Sequence, residues 1–97
     1  MKNTVVINGV EYPCRQTMGA FVRFRNMFDK ETHEADMTNS AEICGFVYCV
    51  IASACNADKV EFPYDYMGFV DAISREDFDK IVGDMFSKQE EKKTENL

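Results

Sequence analysis

The stretch that most constrains the fold is the run from Ser40 to Asn56, SAEICGFVYCVIASACN, which is long and almost entirely apolar. It contains no charged residue between Ile43 and Cys55. A helix that crosses a bilayer needs roughly 20 mostly apolar residues, whereas runs of about 10 to 14 are usually buried core helices. We therefore expect a buried helix that the other elements cover, and no membrane span.

The N-terminal segment has the pattern of a β-hairpin. β-Branched residues run from Thr4 to Ile7, Asn8 and Gly9 supply a two-residue turn, and the alternation continues from Val10 to Tyr12. Asn-Gly between two such runs is the strongest short-range hairpin signal. A lone two-stranded hairpin is marginal in water, so this one must pack on the helices or pair with another chain.

A first helix is predicted from a cap at Thr17 to about Phe28. Its apolar stripe contains Met18, Phe21, Phe24 and Phe28. Three aromatic rings on one face need a large partner, most simply the central helix. The charged stretch that follows, over 29–37, has no periodicity and is predicted to be a loop.

Capping signals place the other helix starts. Asn39 with Glu42 three residues later resembles a capping box at the start of the central helix, and Ser74 with Asp77 resembles another. The helix that begins at Ser74 has the spacing of an amphipathic helix. Its apolar positions are Phe78, Ile81, Val82, Met85 and Phe86.

Between these lies a short third helix, predicted over Tyr64–Ile73, with Pro63 suited to its first position. The chain of 97 residues is thus predicted to be α+β and mostly α, an N-terminal β-hairpin followed by four helices packed around the central apolar helix. Residues 1–87 are predicted to form a single globular domain. The polar segment 88–97 is predicted to be a disordered C-terminal tail.

In projection the central helix has two different sides. Its large apolar side chains occupy an arc of about 200° that can meet the first and last helices. The opposite side is a ridge of small residues, formed by Gly45, Cys49, Ala52 and Ser53. Small residues let another backbone approach closely. We expect the hairpin or the third helix, or a neighbouring subunit, to cover this ridge, which makes these four residues candidates for partner binding.

A second candidate surface lies in the aromatic segment FPYDYMGF. If Tyr66 and Phe69 face the core, Tyr64 points away from it and Met67 lies at the edge. Tyr and Met are enriched at protein interfaces. Tyr64 and Met67 are therefore predicted to bind a partner, with ordinary surface exposure as the alternative interpretation.

The charge argues against nucleic-acid binding. Eleven Lys and Arg against seventeen Asp and Glu give a formal charge of −6, which repels phosphate backbones. An acidic mimic of DNA, or another protein-binding inhibitor or adaptor, stays open as an alternative, although the acids are spread through turns and helix ends. The N-terminus has too short an apolar run for a secretory signal, so a cytoplasmic location is predicted.

No catalytic, metal or cofactor site is predicted. Cys44 and Cys55 lie roughly 16 Å apart along one helix, and Cys49 points away from Cys44, so the cysteines, including Cys14, are interpreted as reduced thiols. His33 is interpreted as a solvated loop histidine. A small regulatory enzyme that uses His33 or a cysteine remains a rival hypothesis.

The order of elements resembles a known family. A hairpin of the form VVINGVEYPCR, with Ile7, Asn8, Gly9 and Tyr12, precedes the helix MGAFVRFRNMFDKET, an apolar helix, a short acidic helix and an amphipathic one. This layout, over nearly the whole chain, is similar to the tail assembly chaperones of long-tailed, siphovirus-type bacteriophages and prophages. Members often open with an I-x-x-N-G-x-x-Y hairpin followed by a helix that ends in a charged turn.

The resemblance implies a non-enzymatic cytoplasmic protein that binds the tape measure protein. It would keep the apolar helical segments of that protein soluble while tail tube subunits assemble around it, with the tail tube protein as a further partner. The family commonly makes a short product and a longer, frameshifted one. Such a role is served by self-association, which multiplies weak contacts, so a homo-oligomer is expected.

Overall fold

A computed structural model describes residues 4–36 and 38–83. The hairpin consists of β1 (Thr4–Ile7) and β2 (Val10–Pro13). The helical elements after it are α1 (Met18–Phe28), a 3-10 helix (Thr32–Glu34), α2 (Ser40–Ala57), α3 (Tyr66–Ala72) and α4 (75–83). The predicted α+β, mostly α fold is therefore confirmed. Met85, Phe86 and the predicted tail over 88–97 lie outside the described residues.

The hairpin forms as its turn residues predict. Val5 pairs with Tyr12 and Ile7 with Val10 in an antiparallel register. Asn8 and Gly9 have φ values of 52° and 79°. The two-residue turn that matches the twist of the strands requires a positive φ at both positions. Val5, Ile7 and Tyr12 are buried, so the hairpin is stabilised by packing on the helices.

α1 starts where predicted, because the Thr17 hydroxyl accepts a hydrogen bond from the backbone N–H of Ala20 at 3.3 Å. Of its predicted stripe, Phe21, Phe24 and Phe28 pack against α2 as predicted, and Met18 does not. Ala20 and Phe24 are fully buried, whereas Met18 is 73% exposed. The helix therefore docks through its middle, and its first residue stays in solvent.

α2 lies at the centre and divides the core into two clusters. On one side Val47, Ile51 and Cys55 pack with the hairpin, with Phe69 of α3 and with Ile81 of α4. The other side faces α1, and its cluster consists of Ala20, Phe24, Phe46, Cys49 and Val50. The expectation of an apolar central helix covered on both sides is confirmed.

The identity of the element over the small-residue ridge was predicted wrongly. α1 covers it, instead of the hairpin, α3 or another subunit. A Cβ added to Gly45 would overlap the ring of Phe28, and Cys49 Sγ lies 3.4 Å from Met27 Sδ. The bulky rings of α1 can only approach α2 where the side chains of α2 are small.

The loop over 29–36 is more ordered than its charge pattern predicts, since it contains the 3-10 helix. The predicted capping box at α2 is only half formed. Asn39 accepts hydrogen bonds from the backbone N–H groups of Ala41 and Glu42, but the Glu42 carboxylate bonds to the N–H of Asp36 at 2.9 Å and to Lys30 Nζ at 3.1 Å. Glu42 thus ties the loop to α2 instead of closing its own cap.

α3 begins two residues later than predicted. Asp65 is its N-cap and accepts a hydrogen bond from the N–H of Gly68 at 2.7 Å, so Pro63 and Tyr64 lie before the helix. α4 begins as predicted, because the Ser74 hydroxyl accepts from the N–H of Asp77 at 3.1 Å.

By length and composition alone, α2 is long and apolar enough to cross a membrane. The length of α2 therefore does not exclude a membrane span, contrary to the expectation from the sequence. Half of the helix is buried inside the fold, and the core helix of a soluble protein passes the same test.

Candidate partner-binding surface

The small-residue ridge is an internal contact. Gly45, Cys49 and Ser53 are buried, and Ala52 is half-buried. The Ser53 hydroxyl is hydrogen-bonded to that of Thr17, just before α1. Three of the four ridge residues proposed for partner binding are therefore already used to join α1 to α2.

The two aromatic-segment candidates have different environments. Tyr64 is half-buried, with its ring edge-on to Tyr12 and Phe62 and its hydroxyl 3.3 Å from Asn8 Nδ2, which donates to it. Tyr64 therefore helps to fasten the hairpin and does not point away from the core as predicted. Met67 is 59% exposed, so of this pair it is Met67 that a partner can reach.

The residues considered for chemistry lie apart from each other. His33 is exposed on the 3-10 helix, and none of the four cysteines, all within the described ranges, forms a disulfide. Burial raises the pKa of the Cys49 thiol to about 11 and also raises that of Cys44. Thiols with a raised pKa are poor nucleophiles at neutral pH. In residues 4–36 and 38–83, no group of three His, Cys, Asp or Glu side chains is placed to hold a metal ion.

A surface groove of about 400 Å³ lies between the start of α2, the end of α3 and the start of α4. Its apolar lining consists of Ile43, Cys44, Val70, Ile73 and Phe78. Each of these five residues is only half-buried. Its polar lining consists of Thr38, Ser40, Ser74, Arg75 and Asp79. An apolar concavity with a few polar groups is the usual form of a binding site.

Hydrogen bonds hold the walls of the groove in place. The Tyr66 hydroxyl donates to the carbonyl oxygen of Ala41 at 2.8 Å, which joins α3 to the first turn of α2. On the loop side, Asp36 Oδ1 accepts from both the backbone N–H and the hydroxyl of Thr38. These bonds hold the pKa of the Asp36 carboxyl below its usual range. The opening is thus built from fixed elements on two sides.

Ion pairs distribute the net charge unevenly. Arg15 binds Asp58 through two hydrogen bonds of 2.7 and 2.8 Å, and Lys30 binds Glu42 beside the start of α2, although neither pair lines the groove. At the groove, Arg75 and Asp79 are 3.9 Å apart and strongly exposed, which is a weak pair. Between residues 60 and 83 the chain carries six carboxylates and two cations, so this segment holds most of the excess negative charge of the described residues.

The groove was not predicted from the sequence. Val70, Ile73 and Phe78 were assigned to apolar helix faces, and Ile43 and Cys44 to the large arc of α2. The missed signal is that α3 and the start of α4 together carry more apolar residues than one neighbouring helix can cover. Which of these residues stay half-buried depends on how the helices pack in the tertiary structure.

Comparison with known proteins gives no relative for this chain: no protein-family model, no curated protein and no solved structure matches it.

Proposed function

We propose that this protein is a tail assembly chaperone of a long-tailed phage or prophage, which binds the tape measure protein and keeps its apolar helices soluble. It acts without catalysis, in the host cytoplasm and as a homo-oligomer, with the tail tube protein as a further partner. Support for the family comes from the hairpin, in which Asn8, Gly9 and Tyr12 hold the turn and strand positions of the family pattern and Val5 stands where the pattern has Ile.

The groove is the observation that carries this proposal. An apolar helix binds a partner by laying its apolar face into a hydrophobic groove. Ile43 and Cys44 on one wall, with Val70, Ile73 and Phe78 on the other, leave apolar surface half-exposed in such a concavity. A client helix bound in the groove would bury the apolar side chains that are only half-buried in the chain alone.

The proposal is tested by identifying the genes beside this reading frame and co-expressing this chain with a tape measure protein that they encode. We expect the soluble fraction of the tape measure protein to rise and the two proteins to co-purify. A tape measure protein that stays insoluble, or neighbouring genes that encode no tail tube or tape measure protein, would overturn the assignment.

Two matched variants locate the client site. Ile43→Gln makes the groove polar at a position that belongs to neither core cluster, whereas Met67→Gln changes the exposed methionine predicted from the sequence. We expect Ile43→Gln to lose the co-purifying tape measure protein and Met67→Gln to retain it. The reverse result would place the client at Met67 instead of the groove.

A further inference from the structure

We infer that the occupant of the groove is a basic amphipathic helix, with its apolar face against the groove and its Lys and Arg side chains beside the carboxylates of α3 and α4. The inference rests on the proposed function only in treating the groove as the client site. It adds the chemical class of the segment that binds.

The apolar residues that line the groove explain why the partner helix needs an apolar face. Val70, Ile73 and Phe78 pack against the core on one side and line the groove on the other. Ile43 and Cys44 lie four and five residues after the Asn39 cap, near the start of α2. Burying these half-open side chains favours an apolar occupant, since each Å² of apolar surface removed from water contributes about 25 cal/mol.

The charged half follows from the residues around the lining. Between residue 60 and the last described residue of α4, residue 83, the chain carries six carboxylates and two cations, Arg75 and Lys80. Asp71, Glu76 and Asp77 are exposed, and within the described ranges they take part in no ion pair. A partner with Lys or Arg beside its apolar face would be attracted by the negative electrostatic potential of these carboxylates. Electrostatic complementarity of this kind sets specificity and association rate.

A second copy of the chain is a poorer occupant. The exposed side of α1 offers Met18 and Val22, but of its two cations Arg25 is already paired with Asp29 at 2.6 Å and with Glu31 at 3.1 Å. Arg23 donates a hydrogen bond to the carbonyl oxygen of Gly19 at 3.4 Å, so α1 offers its apolar surface with only one cation that is not in an ion pair among the described residues. The unpaired carboxylates favour a partner that brings its own cations.

The test uses the full chain and two designed helical peptides with the same leucine face, one with Lys and one with Glu on the polar face. Fluorescence anisotropy measures the Kd of each at low and high salt. We expect the Lys peptide to bind about tenfold more tightly at low salt and to lose this advantage at high salt. Equal binding of both peptides would overturn the inference while leaving the proposed function standing.

Protein variants separate charge from shape. The triple variant Asp71→Asn, Glu76→Gln, Asp77→Asn should remove most of the preference for the Lys peptide. Glu61→Gln is the matched control, because this carboxylate lies near Tyr12 of the hairpin, and it should leave the preference unchanged. Circular dichroism confirms that each variant is folded. A preference that survives the triple variant would overturn the inference.

Cys44 reports the position of the bound helix. Alkylation of the folded protein, with mass spectrometry to locate the label, should show Cys44 protected by the Lys peptide, and Cys44→Phe should block binding by filling the groove. If the Lys peptide binds without either effect, its site is elsewhere and the inference is wrong. If it binds at Cys44 but the tape measure protein stays insoluble, the proposed function fails and the inference holds.

Discussion

At the scale of single residues, the contact between α1 and α2 depends on the absence of a side chain at Gly45. Its backbone lies directly beneath the Phe28 ring, and an added Cβ would occupy the space of two ring carbons. The ring in turn packs edge-on to Tyr66 of α3. A single methyl group at Gly45 would therefore disturb the junction of three helices.

We predict that Gly45→Ala lowers the free energy of unfolding by about 1–3 kcal/mol, as overpacking does. The matched control is Gly83→Ala in α4, where nothing lies within 4 Å of an added Cβ. That change should stabilise the protein by about 0.5–1 kcal/mol, because alanine favours a helix over glycine. Urea denaturation compares the two variants. Destabilisation of the same size at both positions would mean that the Phe28 contact is unimportant.

A second residue-scale prediction concerns Glu42. The hydrogen bond from the N–H of Asp36, followed by that from Lys30, holds the pKa of this carboxyl below its usual value. A carboxyl with a lowered pKa stabilises the fold above its unfolded-state pKa of about 4.3, and this contribution is lost as the pH falls through the folded-state pKa.

Glu42→Gln should therefore be less stable than the wild type at pH 7, and the difference should shrink as the pH falls below the unfolded-state pKa and through the lowered folded-state pKa. Thermal unfolding at a series of pH values measures the difference. Asp71→Asn, at an exposed site, is the control. A gap between Glu42→Gln and the wild type that does not change with pH would show that the carboxylate charge contributes nothing.

At the scale of elements, α3 has only seven residues, too few to be stable without tertiary contacts. It is held by the Asp65 cap, by the buried ring of Phe69 and by the hydrogen bond from Tyr66 to Ala41. That hydrogen bond is also what joins the two walls of the groove. The stability of α3 and the shape of the groove therefore have a common cause.

We predict that Tyr66→Phe costs about 1 kcal/mol, the usual net contribution of one hydrogen bond. Hydrogen exchange should show faster opening of α3 with little change in the hairpin. Tyr64→Phe is the matched control, since it removes the hydroxyl that bonds to Asn8 and should loosen the hairpin turn instead. Equal exchange in α3 for both variants would contradict this assignment.

At the scale of the whole molecule, α2 is shared by both halves of the core. One cluster is formed with the hairpin, α3 and α4, the other with α1, and Tyr48 packs against both. Unfolding of α2 would disrupt both clusters at once. We therefore expect the described part of the chain to unfold in one cooperative transition.

Phe24→Ala tests this cooperativity. Its fully buried ring lies only in the α1 cluster, and its removal should cost about 3–5 kcal/mol. Far-ultraviolet circular dichroism and tyrosine fluorescence, which arises largely from the other cluster, should give the same midpoint. Two separate midpoints would show that the clusters unfold independently.

The oligomeric state provides the other test at this scale. Cys49→Leu places extra volume against Met27 and should cost about 1–3 kcal/mol through overpacking within the chain. Light scattering should give the same molar mass for the variant and the wild type. A smaller mass with an unchanged unfolding midpoint would instead place the ridge between subunits.

Features that depend on interactions between residues close in sequence could be predicted from the sequence. The Asn8-Gly9 turn, the Thr17, Asn39 and Ser74 caps and the apolar length of α2 each follow from short-range hydrogen bonding or backbone sterics. These made the hairpin, the helix starts and the α+β architecture predictable. α3 starts at Tyr66, two residues later than predicted, because Asp65 caps the helix. The prediction had instead relied on Pro63 as the first helical residue.

The tertiary structure decided which surfaces meet. Periodicity shows that α2 has a large side and a small side, but it does not say which helix fits each one. That choice depends on volume, and the rings of Phe24 and Phe28 fit only where Gly45 and Cys49 leave room. The groove has the same origin, because the positions of α3 and α4 beside α2 leave five apolar residues half-buried. The sequence by itself therefore determined the elements and their ends, and long-range packing determined the candidate site.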